Sequence, residues 1–192
     1  VFAMSVGASM AAFAAHMLAF VSLPFNFQTV MGFTPAEVGL LMMPWPLATG
    51  IAAPFAGRLS DRHSPAILGG IGLAALAAGL VALALLPDGA SIPDIAWRMA
   101  LCGAGFGFFQ TPNNRTIVTA APRVRAGAAS GMLSTARLTG QTVGAALAAL
   151  VLARLGVDGA DWSLALAATF AAVSAAISLA RIRAFRAEAA GE

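Results

Sequence analysis

Charge is absent from long stretches of this chain, and the lengths of those stretches decide what it can fold into. From Val1 to Ala36 there is no Asp, Glu, Lys or Arg. The same holds from Val38 to Gly57, His63 to Pro87, Met99 to Asn114 and Trp162 to Ala180, while Ala126 to Ala153 is broken only by Arg137. About 20 apolar residues, rising 1.5 Å each in a helix, cross a hydrocarbon core of about 30 Å. Six transmembrane helices are therefore predicted, over about residues 2–24, 36–57, 65–86, 95–113, 126–153 and 162–181. None of these runs has the alternating polarity of a membrane strand. The fold class expected is an all-α integral membrane bundle occupying residues 1–192, with nothing left over for a soluble domain.

Turn and cap chemistry falls between the runs. Pro24 and Gly32-Phe33-Thr34-Pro35 separate the first two spans, and Ser64-Pro65 reads as an N-cap with proline at the first helical position. Pro87-Asp88-Gly89, Pro122 and Gly156 to Asp161 mark later breaks. Val1 is not a start methionine and no basic stretch precedes the first run, so the chain is expected to begin inside a longer polypeptide rather than with a secretory signal. A single Cys forms no intrachain disulfide.

The chain carries 11 basic and 8 acidic residues, and all the basic ones are Arg. In a soluble protein such an excess would point to nucleic acid. Here the arginines sort by loop. Arg58, Arg62, Arg115, Arg123, Arg125, Arg181, Arg183 and Arg186 fall on one side, and only Arg98 and Arg154 on the other. The positive-inside rule makes the first side cytoplasmic. The expected setting is the bacterial inner membrane, with the lipid bilayer as partner and no nucleic acid.

Polarity is uneven among the spans. The third and sixth are nearly all Ala, Leu, Ile, Val and Gly, and read as peripheral. On the first span Ser5, Ser9 and His16 fall within about 40° of one another at 100° per residue. On the fourth, Cys102, Phe106, Phe109 and Asn113 spread over about 60°, with Gln110 and Asn114 at the margin. Polar groups at membrane depth normally face a bundle interior or a water-filled cavity. These two spans, including Phe20, are therefore the expected cavity walls, although interhelical hydrogen bonding without a ligand would produce the same stripes. The fifth span carries Ala136, Gly140, Gly144 and Ala148 at four-residue spacing, a pattern for close helix approach. Arg137 lies beside it, too deep to reach the interface easily.

No catalytic constellation is visible. His16, His63 and Cys102 lie on different elements without metal-ligand spacing. Gly103, Gly105 and Gly107 lie inside an apolar span and Phe108 stands where a dinucleotide fingerprint needs glycine. No enzyme, cofactor or metal is expected.

The loop Gly57-Arg58-Leu59-Ser60-Asp61-Arg62-His63-Ser64-Pro65 resembles the G-x-L-a-D-R-x-G-r signature of the major facilitator superfamily, departing from it at Ser64. Thr34-Pro35-Ala36-Glu37-Val38-Gly39-Leu40, Pro112-Asn113-Asn114, Ala129-Ser130-Gly131, Arg137, Gly140 and Gly144 look like the C-terminal half of its fourteen-helix drug:proton antiporter branch. The resemblance covers essentially the whole chain. It implies a six-helix half, with an N-terminal half absent, whose first and fourth helices line the transport cavity. Substrate-cavity residues would be His16, Phe20, Cys102, Phe106, Phe109, Gln110, Asn113 and Asn114. Gly57, Arg58, Asp61 and Arg62 would form a cytoplasmic gating loop, and Arg137, Gly140 and Gly144 would pack against the other half. The function expected is proton-coupled efflux of amphipathic drug-like compounds by alternating access. A non-transporting scaffold or an inactive truncated transporter is the alternative. No carboxylate lies within a span, which leaves His16, an imidazole that titrates near neutrality in water, as the local candidate proton carrier.

Overall fold

The computed structural model describes residues 2–87 and 89–190, with side chains for all of these except Arg123 and residues 182–190. The described residues form helices and turns, with no strand among them. The α-helices are α1 (Phe2–Thr29), α2 (Pro35–Met42), α3 (Pro44–Leu59), α4 (Pro65–Ala84), α5 (Ile92–Thr119), α6 (Ala126–Leu155) and α7 (Gly159–Ala190). Four stretches are long and apolar enough to cross a membrane by length and composition: Phe2–Thr29, Pro35–Leu59, Pro65–Ala84 and Ala126–Arg181. The last contains both α6 and α7, divided by a 3-10 turn that begins at Gly156 with φ +59°. The 28-residue α5 is not among the four; Asp94, Arg98, Gln110, Asn113, Asn114 and Arg115 lower its apolarity.

Local chemistry sets the ends. Thr34 caps α2: Glu37 donates its backbone N–H to the Thr34 hydroxyl, and its carboxylate accepts from the Thr34 N–H at 2.8 Å. Pro35, Pro44 and Pro65 sit in the first turns of α2, α3 and α4, where a missing N–H costs nothing.

Two helices run past the ends expected from sequence. Pro24 does not end the first span, because α1 continues through it to Thr29 and buries Phe27 completely. Pro112 lies inside α5, which runs on to Thr119 rather than stopping near residue 113. A mid-helix proline removes one hydrogen bond, and neighbouring helices in a bundle supply enough packing to carry the helix past it.

In the packing, α3 lies beside α5, α5 beside α4, α4 beside α7, α7 beside α1, and α1 beside α6. Small residues permit this density. A methyl group at Gly72 would lie 2.6 Å from the Gly105 carbonyl, so α4 and α5 touch backbone to backbone. Gly103 and Gly107 give the same closeness on the other side of α5, against Trp45 and Thr49 of α3. The Thr49 hydroxyl donates to the Gly103 carbonyl at 2.9 Å. The glycine triplet that fits no nucleotide motif is thus what lets α5 sit between α3 and α4. With no hydrophobic drive between helices in lipid, such contacts carry much of the association.

The small-residue stripe of α6 is also used inside the chain. Gly140 lies against the Met10 carbonyl and Gly144 against the Ala14 carbonyl, both on α1, with no room for a Cβ at either. The sequence expectation placed these glycines against another half; the structure places them against α1. A four-residue repeat of small residues defines a close-approach face, and any helix of suitable register can occupy it.

Candidate functional site

The structure brings α1, α3 and α5 together around His16. Its ring stacks on Phe20 at 4.2 Å and on Phe106 at 4.7 Å, and meets Trp45 edge-on at 5.3 Å. Phe20 in turn meets Trp45 at 5.2 Å, and Phe13 meets Phe106 at 5.3 Å. His16 Nδ1 and the Trp45 indole N–H are both buried without a hydrogen-bond partner. Buried polar groups are normally paired. Two unpaired ones lie within this single aromatic cluster.

A second cluster lies nearer the arginine-rich end. Asn113 donates to the Ser9 hydroxyl at 2.8 Å and to the Ser5 carbonyl at 3.2 Å. Arg181 of α7, fully buried, donates to Asn113 Oδ1 at 2.8 Å, to the Ser5 hydroxyl at 2.5 Å and to the Ser178 hydroxyl at 3.4 Å. The Ser178 hydroxyl in turn donates a hydrogen bond to the Ala66 carbonyl of α4 at 3.1 Å. One guanidinium therefore connects α1, α5 and α7 directly, and α4 through Ser178. The site has the character of a fastener: its acceptors are protein groups and its side chains are closed off.

Gln110 and Asn114 turn away from that cluster. With Phe13, Leu133, Ser134 and Arg137 they line a cavity of about 80 Å³ between α1, α5 and α6. Arg137 is exposed on α6, and the two amides are half-buried. Among the described residues, Arg137 makes no ion pair.

Of the eight cavity residues expected from sequence, His16, Phe20 and Phe106 come together in the aromatic cluster, and Gln110 and Asn114 share the small cavity. The other three are elsewhere. Cys102 packs on α4, its sulfur 4.0 Å from the Leu76 carbonyl, and Phe109 packs near Gly69 of the same helix. Asn113 belongs to the Arg181 cluster. A 60° arc on a helix with neighbours on both sides is wide enough to meet more than one of them.

In the loop after α3, Asp61 forms an ion pair with Arg115 near the end of α5, and the Ser60 hydroxyl donates to the Gly57 carbonyl at 2.7 Å. Arg58, Asp61 and Arg62 line one end of a groove of about 1160 Å³ between α3 and α5, whose remainder is apolar, with Ile51, Phe55 and Phe108.

Sequence reasoning missed two residues here. Arg181 was placed among the loop arginines, yet it shares a helix face with Ser163, Ser174 and Ser178, all within about 60° at helical periodicity. All four are buried. That hydroxyl stripe was the available signal. Trp45 gave none, because a Trp between two prolines at a helix start reads as an interfacial anchor. The side chains of Arg123, Arg183 and Arg186 lie outside what the structure describes.

A family model described as Major Facilitator Superfamily matches residues 4–191. The chain is 54% identical over 181 residues to the uncharacterized transporter YebQ of Escherichia coli K12, covering 94% of this chain and 40% of that protein. It is 36% identical over 126 residues to the multidrug resistance protein Stp of Mycobacterium tuberculosis, covering 66% of this chain and 23% of Stp. Over 132 residues it is 36% identical to the drug efflux pump JefA of the same species, covering 68% of this chain and 26% of JefA. The chain thus spans about two fifths of the first of these relatives and about a quarter of the other two.

Proposed function

Because the chain belongs to the Major Facilitator Superfamily, a family of multi-pass membrane transporters, we propose that its helices form a six-span half of a proton-coupled exporter of amphipathic compounds in the bacterial inner membrane. The arginine-rich end faces the cytoplasm, and a second helical half covers the exposed faces of α3 and α6. The observation that carries this reading is the meeting of α1 and α5 around His16, Phe20 and Phe106. An aromatic cluster with unpaired buried nitrogens, beside a small polar cavity, suits loose apolar recognition with a few directed hydrogen bonds. The multidrug resistance and efflux functions named for Stp and JefA agree with that chemistry.

The loop residues have a part in this reading. The Asp61–Arg115 pair ties the loop to α5, Arg58 and Arg62 lie at the mouth of the α3–α5 groove, and Gly57 faces Thr111 of α5. A helix of the second half seated in that groove meets these charges in one access state and leaves them in the other. His16 is the proton carrier. In the full-length transporter reconstituted into vesicles, an imposed proton gradient drives efflux of an amphipathic dye. His16→Ala abolishes the gradient-driven component and leaves downhill movement intact. Gradient-driven efflux at the wild-type rate in that variant removes His16 from coupling, and identical dye movement with and without the protein overturns the transport reading.

A further inference from the structure

We propose that Arg137, with Gln110, Asn114 and Ser134, forms the seat for an anionic headgroup, a carboxylate, on the amphipathic substrate. This rests on the transport reading above and gives it a substrate charge.

The first support is depth. Phe13 lies 11 residues from the start of α1, Arg137 11 residues from the start of α6, and Gln110 nine from the end of α5. At 1.5 Å per residue all three stand about 14–17 Å from the same end of the bundle, about three turns inside their helices. A guanidinium at that depth reaches an interface only with difficulty, and arginines there normally pair or face a polar cavity. Arg137 faces the cavity and has no ion pair among the described residues.

The second support is the donor set. Arg137 brings five N–H groups and a permanent positive charge, the amides of Gln110 and Asn114 bring NH₂ groups, and Ser134 a hydroxyl. No acidic residue is among those lining the cavity. Donors in excess with a fixed cation select an acceptor-only, negatively charged group, and a guanidinium fork matches a carboxylate in two parallel bonds.

The third is size and adjacency. Drug-sized ligands occupy about 300–1,000 Å³, whereas this cavity measures about 80 Å³, so it takes a headgroup and not a whole substrate. Phe13 forms one wall of it and also meets Phe106 of the aromatic cluster at 5.3 Å. A ligand with a carboxylate at Arg137 therefore lays its apolar body against Phe13, which is itself braced by Phe106.

The test uses three probes of one shape, naphthoate, naphthamide and naphthylmethylammonium, with the purified full-length transporter at neutral pH. Calorimetric titration of the wild type is expected to rank naphthoate about tenfold or more tighter than the amide, the difference typical of a charge-assisted bond, with the ammonium weakest. Arg137→Gln brings naphthoate down to the amide's affinity without moving the amide, at an unchanged unfolding temperature, and Arg137→Lys recovers part of the preference. Equal affinities for naphthoate and naphthamide in the wild type, or an undiminished preference in Arg137→Gln, overturn the proposal. Charge-selective binding without vesicle transport of any probe overturns the transport reading and leaves the anion seat standing.

Discussion

Two arginines approach α5 from different sides, and each finds an amide there. Arg181 meets Asn113 in a closed interior, where its two terminal nitrogens donate to Asn113, Ser5 and Ser178, Asn113 donates to Ser9, and only the guanidinium Nε is left without a partner. Arg137 meets the half-buried Gln110 and Asn114 across a small cavity, where none of the three makes a hydrogen bond with another. Asn113 is only about 60° from Gln110 and about 100° from Asn114 around the helix axis. The residue types are nearly the same in both places, and their consequences differ. Donors that mostly find protein acceptors in a closed interior fasten helices together; donors that face a cavity are open to something else.

The comparison breaks most severely at Asn113. Asn113→Leu removes an acceptor from a buried, permanently charged guanidinium, and an under-solvated buried charge costs more than a neutral orphan. The expected loss is about 3 kcal/mol of stability, read as a lower unfolding temperature in detergent. Arg181→Met has a smaller effect, about 1–2 kcal/mol, because it leaves only neutral acceptors unpaired. The double variant sharpens the point: its loss is expected to be smaller than the two single losses added, since the residues act as one unit. A double variant that is strictly additive shows the pair to be uncoupled. At the small end, Gln110→Leu and Asn114→Leu each change stability by no more than about 0.5 kcal/mol, as substitutions outside any network do. Their effect is instead on naphthoate affinity. A loss of unfolding temperature comparable to that of Asn113→Leu would place these amides in the structural class.

Much of the architecture was legible in the chain. Charge-free runs locate the helical rods because a missing charge is a one-dimensional property, countable without knowing any neighbour. The starts of α4 at Pro65 and α6 at Ala126 agree with the runs for that reason. Ends set by proline were less legible. Pro24 looks like a terminator in sequence, and only the neighbours packed around Phe27 explain why α1 continues.

The candidate site divides similarly. The polar stripes singled out α1 and α5, and His16, Phe20 and Phe106 on those helices do converge. The sorting of Asn113 from Asn114, of Cys102 and Phe109 toward α4, and of Gly140 and Gly144 onto α1 was not available. Each depends on which neighbour lies within a few ångströms of one face.

By itself, then, the sequence determined that this protein is helical, apolar and asymmetric in its arginines, because hydropathy, proline and charge act through the chain's own spacing. Which polar groups satisfy one another, and which are turned toward a cavity, was decided only by tertiary structure. A hydrogen bond needs a partner within about 3 Å, and helical periodicity fixes the direction of a side chain without fixing what stands opposite it.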